Sequence, residues 1–414
     1  MQLEIDSERI QSDIDELAKI SEAPPPIVTR VLFSRADREA HALIRDRCSN
    51  LGLILREDAV GNLFARWEGE DRDLAAVATG SHIDAIPNAG KYDGVVGVLG
   101  GLEAIRALQR SGFRPTRSIE LILFTSEEPT RFGIGCLGSR MLSGALTGEA
   151  ARQLTDNSGQ TLEHVRQEAD MHGDLESVRL DSGHYGAFVE LHIEQGPLLE
   201  RAGVPLGIVE SIAAPASYQL VVEGAGGHAG GVLMPWRKDA LCAVAEIILA
   251  VEEAALASGS SDTVTTVGIC DVFPGAVNSI PSRVRLTLDL RDTDLLRRDR
   301  VLQTIQKKAQ QVSEKRGVSI QFQIINADAP AICSSIVTDA LMRSCSKHNL
   351  PFQKMVSRAY HDSLFMARVA PTGMLFIPCR NGYSHRPDEF ASPEDIGRGT
   401  LVLAESLAEL SRCD

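Results

Sequence analysis

Apolar residues recur at helical spacing near the start of the chain, where Ile10, Ile14, Leu17 and Ile20 share one face behind a capping Asp6 or Ser7. Pro24-Pro25-Pro26 ends that helix. A second helix is expected from Ser34 to about Asn50, stopped at Gly52. The period then shortens, and Leu53–Arg56, Leu63–Trp67 and the compact apolar run Leu74–Thr79 read as strands. After Asp93, the stretch GVVGVLGGLEAIRALQRSG predicts a buried helix whose glycines permit close packing on a sheet. Ser118–Thr125 is a further strand with Ser126-Glu127-Glu128 at its carboxyl end, and Val189–Glu194 is another, carrying His192. Such alternation of strands and helices predicts an α/β core.

The texture changes around Ser211. Tyr218–Glu223 alternates, the loop Gly224–Gly231 follows, and a helix is expected from about Trp236 to Ala257. Strands are expected at Thr263–Cys270 and Arg283–Arg291. In the latter, Val284, Leu286, Leu288 and Leu290 face one way while Arg283, Arg285, Thr287, Asp289 and Arg291 face the other. A charged helix over about Asp294–Arg316 and a strand Ser319–Ile325 complete this region. The core pattern then resumes with a helix over 335–347, a helical piece after Asp362, the strand Gly373–Pro378 and a closing helix from Ser392. The expected organisation is an α/β domain with mixed sheet and helices over 1–210 and 326–414, and an inserted α+β domain over 211–325.

Composition narrows the classes. A chain of 414 residues exceeds the usual extent of one core, so two domains are expected. The 56 acidic against 42 basic side chains give a formal charge of -14, which argues against nucleic acid or an anionic membrane as partner. The eight cysteines, Cys48, Cys136, Cys242, Cys270, Cys333, Cys345, Cys379 and Cys413, form no CxxC pair and read as free thiols of a reducing compartment. No apolar run approaches the ~18 residues needed to span a bilayer. The polar, acidic start MQLEIDSERIQ does not resemble a targeting peptide, so a cytoplasmic location is expected.

The chemistry concentrates in Thr79–Gly94, TGSHIDAIPNAGKYDG, which places His82, Asp84 and Asp93 between an apolar run and a Gly-rich helix start. Imidazole and carboxylate suit a divalent metal of zinc or manganese type. Asp84, two residues past His82, can hold the second nitrogen of that imidazole; an ordinary strand-to-helix loop is the alternative. Glu127, Glu128, His192 and His385 lie at other strand or loop ends, where ligands of open α/β sheets bind. Two ions about 3.5–4 Å apart can clamp and activate a water for attack on a carbonyl. Of two adjacent acids in an irregular segment, one can ligate while the other stays free as general base.

The motifs TGSHIDAIPNAGKYDG, FTSEEPTRFGIGCLGSR, ELHIEQGPLLE, GGHAGGVLMPWRKDA, NSIPSRVRLTLDLR and GYSHRPDEF, in unbroken order, resemble the dimetal aminoacylase–carboxypeptidase superfamily. More closely they resemble its amidase branch of N-carbamoyl-L-amino acid, allantoate and ureidoglycolate amidohydrolases. The resemblance implies that His82, Asp93 and His192 hold one divalent ion, and that Asp93 bridges to a second held with Glu128 and His385. Manganese is favoured, with zinc, nickel or cobalt possible. Glu127 becomes the catalytic base and Asp84 the orienter of His82. It further implies that Gln195 contacts substrate, that His228 stabilises the oxyanion from the partner subunit of a homodimer formed by the inserted lid domain, and that Asn278 and Arg291 hold a substrate carboxylate.

Within the branch, the lid sequence His228-Ala229-Gly230-Gly231-Val232-Leu233-Met234-Pro235 and the segment Ser357–Ser363 are similar to the ureidoglycolate-cleaving enzymes. Tyr360 and His361 can hydrogen-bond a substrate hydroxyl, and a site built for a hydroxyl rejects analogues lacking it. The expected substrate is therefore a small ureido acid, ureidoglycolate. The alternatives are an N-carbamoyl amino acid or allantoate, or a non-catalytic binding protein that keeps the fold. His41, His164, His172, His184 and His348 lie outside these motifs, and Trp67 and Trp236 read as packing residues.

Overall fold

The computed structural model describes residues 3–412, so Cys413 lies outside the described residues. The chain divides into two compact units. One comprises Met1–Glu210, Ile332–Met355 and His361–Asp414, the other Ser211–Ala331 with Val356–Tyr360.

The first unit is built on a nine-stranded sheet. Its main run is, in order, Leu206–Ile212, Thr372–Ile377, Tyr185–Ile193, Ala76–His82, Ile119–Phe124, Leu63–Trp67 and Ile54–Glu57. The four middle strands, from 372–377 to 119–124, are parallel, and the flanking pairs are antiparallel. Helices Val95–Arg110, Pro393–Leu410, Ser7–Leu17 and Ser335–Lys347 supply one core with Ile10, Leu99, Leu191 and Leu403. Leu137–Leu142, Leu162–Glu168 and Asp362–Met366 supply a second with Phe124, Phe188 and Met366. Strands covered on both faces bury every position, as 76–82 and 119–124 do. Polar groups inside them are paired: Thr79 Oγ1 donates to the Val189 carbonyl at 2.7 Å and Ser81 Oγ to Glu190 at 2.8 Å.

Several elements differ from the sequence reading. The first helix ends at Leu17, and Ile20 follows in a turn, because the buried Arg30 guanidinium donates to the carbonyls of Leu17 and Ile20 at 2.8 and 2.9 Å. The Leu74–Thr79 run is strand Ala76–His82, so His82 is the last strand residue. Ala85–Ala89, expected as loop, pairs antiparallel with Val28–Arg30. Strands Leu206–Ile212 and Phe352–Ser357 were not expected.

The second unit is a five-stranded antiparallel sheet in the order Val264–Thr266, Arg283–Asp292, Ala214–Glu223, Ser319–Ala327, with Cys270–Phe273 also on 283–292. Val284, Leu286, Leu288 and Leu290 are fully buried and join helices Ala240–Leu256 and Leu295–Arg316 in one core, as the alternation predicted. The expected strand Thr263–Cys270 is two short strands broken around Gly268. The expected helix from Trp236 starts at Ala240, where the Asp239 carboxylate accepts from Leu241 and Cys242 amides. Trp236 instead ends a short helical turn, Met234–Trp236, and is 74% exposed, so the packing reading of this residue is corrected. Trp67 does pack, edge-on against Phe113 at 6.3 Å.

Candidate active site

The four parallel strands end side by side, and each delivers a polar group at its carboxyl end. His82 closes 76–82, Glu127 and Glu128 follow 119–124, His192 lies one residue from the end of 185–193, and the loop after 372–377 carries His385. Asp93 enters from the turn before the 95–110 helix. A Cβ on Gly94, whose φ is +67°, would lie 2.4 Å from His82 Nε2, so glycine alone lets the chain turn against that imidazole.

Asp93 is the centre. Its Oδ1 lies 3.2 Å from His192 Nε2 and 3.7 Å from His82 Nε2, while its Oδ2 lies 3.3 Å from His385 Nε2. Glu128 Oε1 is 2.9 Å from the same His385 nitrogen, and Glu127 Oε2 is 3.7 Å from His82 Nε2. His82, Asp93 and His192 thus form one group of ligand atoms within 4.8 Å of one another, and Asp93, Glu128 and His385 form a second that shares Asp93. His192 Nδ1 donates to the Ile193 carbonyl at 2.9 Å, and His82 Nδ1 lies 3.2 Å from the Asp84 carbonyl. Both Nε2 atoms are therefore left to face Asp93.

The two adjacent acids diverge from a turn that Asp84 holds. Its carboxylate accepts from the Glu127 amide at 3.1 Å and the Glu128 amide at 3.0 Å. Oδ1 also stands 3.4 Å from His82 Nδ1, so the expected contact with the imidazole is present but shared with the Asp84 carbonyl. Glu128 turns toward His385, and Glu127 toward His82 and the Cys136 thiol, 3.6 Å from its Oε1.

The donors fit two divalent cations. With neutral imidazoles the carboxylates of Asp93, Glu127 and Glu128 would bring three charges into surroundings nearly free of water, which is costly without compensation. The proton affinities register that deficit. Burial alone would lower His82, but the charge of Glu127, with Asp84 and Asp93, carries it well above the usual imidazole range. Contacts with Asp93 and Glu128 lift His385 to about 11. Burial would raise Asp93, yet the imidazoles of His192, His385 and His82 hold it well below the carboxylate range. Burial pushes Glu127 well above it; the charge of His82 pulls it back, and the neighbouring acids Glu128, Asp362 and Asp84 push it up again.

Gln195, at φ +55°, donates to Asp93 Oδ2 at 2.6 Å, and its own Oε1 is buried without a partner. His361 is buried with its ring 4.5 Å from that of His192, and with Glu190 the three form a further cluster. Glu190 already accepts from Ser81 Oγ at 2.8 Å and Ser363 Oγ at 2.6 Å, so its oxygens are committed to the frame. Sequence reasoning did not single out Cys136, Ser384 or Glu389, although Ser384 and Glu389 flank His385 in the motif that was noted.

In the second unit two pairs form. His228 and Asn278 meet where 227–228 pairs with 279–280, and the Asn278 carbonyl accepts from the Ala229 amide at 2.8 Å. Gly230 N–H donates to His228 Nδ1 at 3.1 Å, so the neutral imidazole carries its proton on the exposed Nε2. Arg291 lies 5.8 Å from the Tyr360 ring centre, and its Nε donates to Asp289 at 2.7 Å. The histidines set aside in the sequence have local partners: His41 faces Asp37, His164 Glu168, His172 Asp170, His184 the Tyr185 ring, and His348 Glu405.

A strand-end cluster that can hold two cations beside a buried acid defines a metal-dependent hydrolase class, and comparison with known proteins gives the family. Residues 78–409 match the model of peptidase family M20/M25/M40. The chain is 54% identical to a ureidoglycolate hydrolase of Oryza sativa subsp. japonica, over 98% of this chain and 85% of that one. Its fold matches crystal structures of AtUAH in complex with glyoxylate and with (S)-hydroxyglycine. Each has a TM-score of 0.90 at 52% identity, covering 99% of this chain and 98% of theirs. The chain belongs to the M20/M25/M40 peptidase family and is a hydrolase of amide C–N bonds.

Proposed function

We propose that the chain is a ureidoglycolate amidohydrolase. It cleaves the ureido group with release of ammonia and carbon dioxide and leaves an unstable aminated product that collapses to glyoxylate. One observation carries the reaction type: in a turn whose amides Asp84 holds, two adjacent buried acids part, so that Glu128 completes the group with Asp93 and His385 while Glu127 stays outside it. The 54% identity to the rice enzyme over nearly the whole chain supports the substrate.

His82, Asp93 and His192 would hold one divalent ion and Asp93, Glu128 and His385 a second. Such a pair, manganese by the precedent of the family and tolerated by the mixed histidine and carboxylate set, would polarise a carbonyl and acidify a water. Glu127 takes the proton of the attacking water and returns it to the departing nitrogen. The unpaired Gln195 Oε1 accepts from a ureido N–H. The outward Nε2–H of His228 donates to the developing oxyanion. Asn278 and Arg291 bind the carboxylate. Arg291 Nε donates to Asp289 at 2.7 Å, while its terminal nitrogens make only long contacts of 3.4 Å, to Asp289 Oδ2 and to the Arg358 carbonyl, which an incoming carboxylate displaces. Tyr360 and His361 recognise the hydroxyl.

The second unit forms a lid and a homodimer contact, with His228 acting on the partner subunit's substrate, and the protein works in the cytoplasm. Among the described residues no helix is long and apolar enough to cross a membrane, and Cys48, Cys136, Cys242, Cys270, Cys333, Cys345 and Cys379 are free thiols. Steady-state assays of the manganese-loaded protein on ureidoglycolate, allantoate and an N-carbamoyl amino acid test the substrate; a preference for either of the last two overturns it. Mixing His228→Ala with Glu127→Gln subunits tests the shared site, since each heterodimer keeps one complete set. No recovery of activity despite proven subunit exchange refutes the action across subunits.

A further inference from the structure

Glu389 is almost completely buried, yet it lies four residues from the half-exposed His385 in the loop after the 372–377 strand. Its Oε1 accepts from two consecutive amides on another part of the chain, Tyr92 N at 2.7 Å and Asp93 N at 3.0 Å. Its Oε2 lies 3.0 Å from Ser384 Oγ, and the same hydroxyl reaches Asp93 Oδ2. The backbone leaves room for this carboxylate: a Cβ on Gly90 would stand 2.4 Å from the Glu389 Cβ and 2.7 Å from its Oε1. Two loops separated by nearly 300 positions, one carrying Asp93 and the other His385, are therefore tied through one side chain.

The tie bears unequally on the two ligand groups. His82 and His192 are held independently at the ends of sheet strands, with their Nδ1 atoms on local carbonyls. His385 sits in a loop at φ +60°, a left-handed conformation that a non-glycine residue holds only where its surroundings enforce it. Its spacing to Asp93 depends on how the 384–389 segment is anchored.

We propose that Glu389, acting through Ser384 and the Tyr92–Asp93 amides, is a positioning residue that sets the Asp93–His385 spacing and with it the affinity of the second cation. The inference rests on the dimetal reading of this cluster. The hydrogen-bond pattern says what a conservative replacement does. In Glu389→Gln the new side-chain oxygen still accepts from both backbone amides, and the new NH2 donates to Ser384 Oγ, whose single proton then goes to Asp93 Oδ2. Alanine leaves both amides without an acceptor and frees the loop.

The test is manganese binding to the full-length protein, by calorimetry and by counting bound metal after desalting. Wild type is expected to bind two ions. Glu389→Ala is expected to bind the weaker ion about 10–100-fold less tightly, the usual cost of removing an outer support of a metal ligand, while the tighter ion changes far less. Glu389→Gln is expected to retain both within a few-fold, and Ser384→Ala to fall between the two, which covers the case of an alanine variant that fails to fold. Weakening of both ions alike, or wild-type binding of both in Glu389→Ala, overturns the inference. Wild-type binding of fewer than two ions overturns the dimetal reading instead.

Discussion

Asp84→Asn is a sharp probe, because the change removes one charge and almost no volume. The carboxylate is buried and accepts one bond on each oxygen, from the Glu127 and Glu128 amides at 3.1 and 3.0 Å. An asparagine can accept only one of them, and its NH2 must point at the other N–H, donor against donor. Losing a charge-assisted bond costs about 1.5–3 kcal/mol, and stranding a buried N–H costs about 1–3 kcal/mol, two overlapping penalties. Relaxation of the 126–128 turn offsets part of them, so a net destabilisation of about 3 kcal/mol is expected. The same relaxation moves Glu127 and Glu128, so metal affinity is expected to fall about 10–100-fold. Urea unfolding of the metal-free protein reads the first quantity and manganese titration the second. Unchanged unfolding and unchanged titration would refute the assignment of Asp84 as the clamp on the two acids. A loss of stability with intact metal binding would show that the clamp serves the fold alone.

The other predictions bear on roles within the cluster. Glu127→Gln is expected to lower kcat about 10²–10⁴-fold while both ions remain bound, because it removes a proton acceptor and not a ligand; lost metal in that variant contradicts the division of labour between the two glutamates. Asp93→Ala is expected to lose both ions, whereas His82→Ala mainly weakens one, and metal counting on the two variants decides whether Asp93 is the bridge. In the second unit, burial pushes the Asp292 carboxyl up, but Arg297, the Thr263 hydroxyl at 2.5 Å and the Asp294 amide at 2.8 Å hold it below its usual range. A group depressed in this way stabilises the fold above its unfolded value of about 4, and the contribution fades as the pH falls below that. The gap in denaturation midpoint between wild type and Asp292→Asn is accordingly expected to be steady near neutrality and to close below about pH 4; a gap that ignores pH rules this out.

The candidate metal ligands and the acid beside them were legible in the sequence because each carries its own chemistry and local context, whereas Gln195, His228, Asn278 and Arg291 stood out only through the family resemblance. His82 and His192 stand at the ends of apolar runs, Glu127-Glu128 follows a strand, and the 283–291 alternation declares a one-sided sheet. Residue type and period alone put these groups at strand ends, since a covered parallel strand must be apolar until it leaves the sheet. Tertiary structure decided which ends lie side by side. The parallel order 372–377, 185–193, 76–82, 119–124 brings residues nearly 300 positions apart onto one Asp93, and no local pattern encodes that neighbourhood. It also supplied Glu389, which the sequence left silent, and a second role for Asp84 beyond the expected contact with His82. Glu389 and Asp84 act through backbone amides, and a carboxylate that binds peptide N–H groups leaves no mark on the residues it holds. Trp236 shows the converse limit. An indole beside a helical run predicts packing, but Asp239 caps the helix three residues later and leaves the ring outside. The chemistry was written in side chains, and its arrangement came from backbone hydrogen bonds that only the folded chain makes.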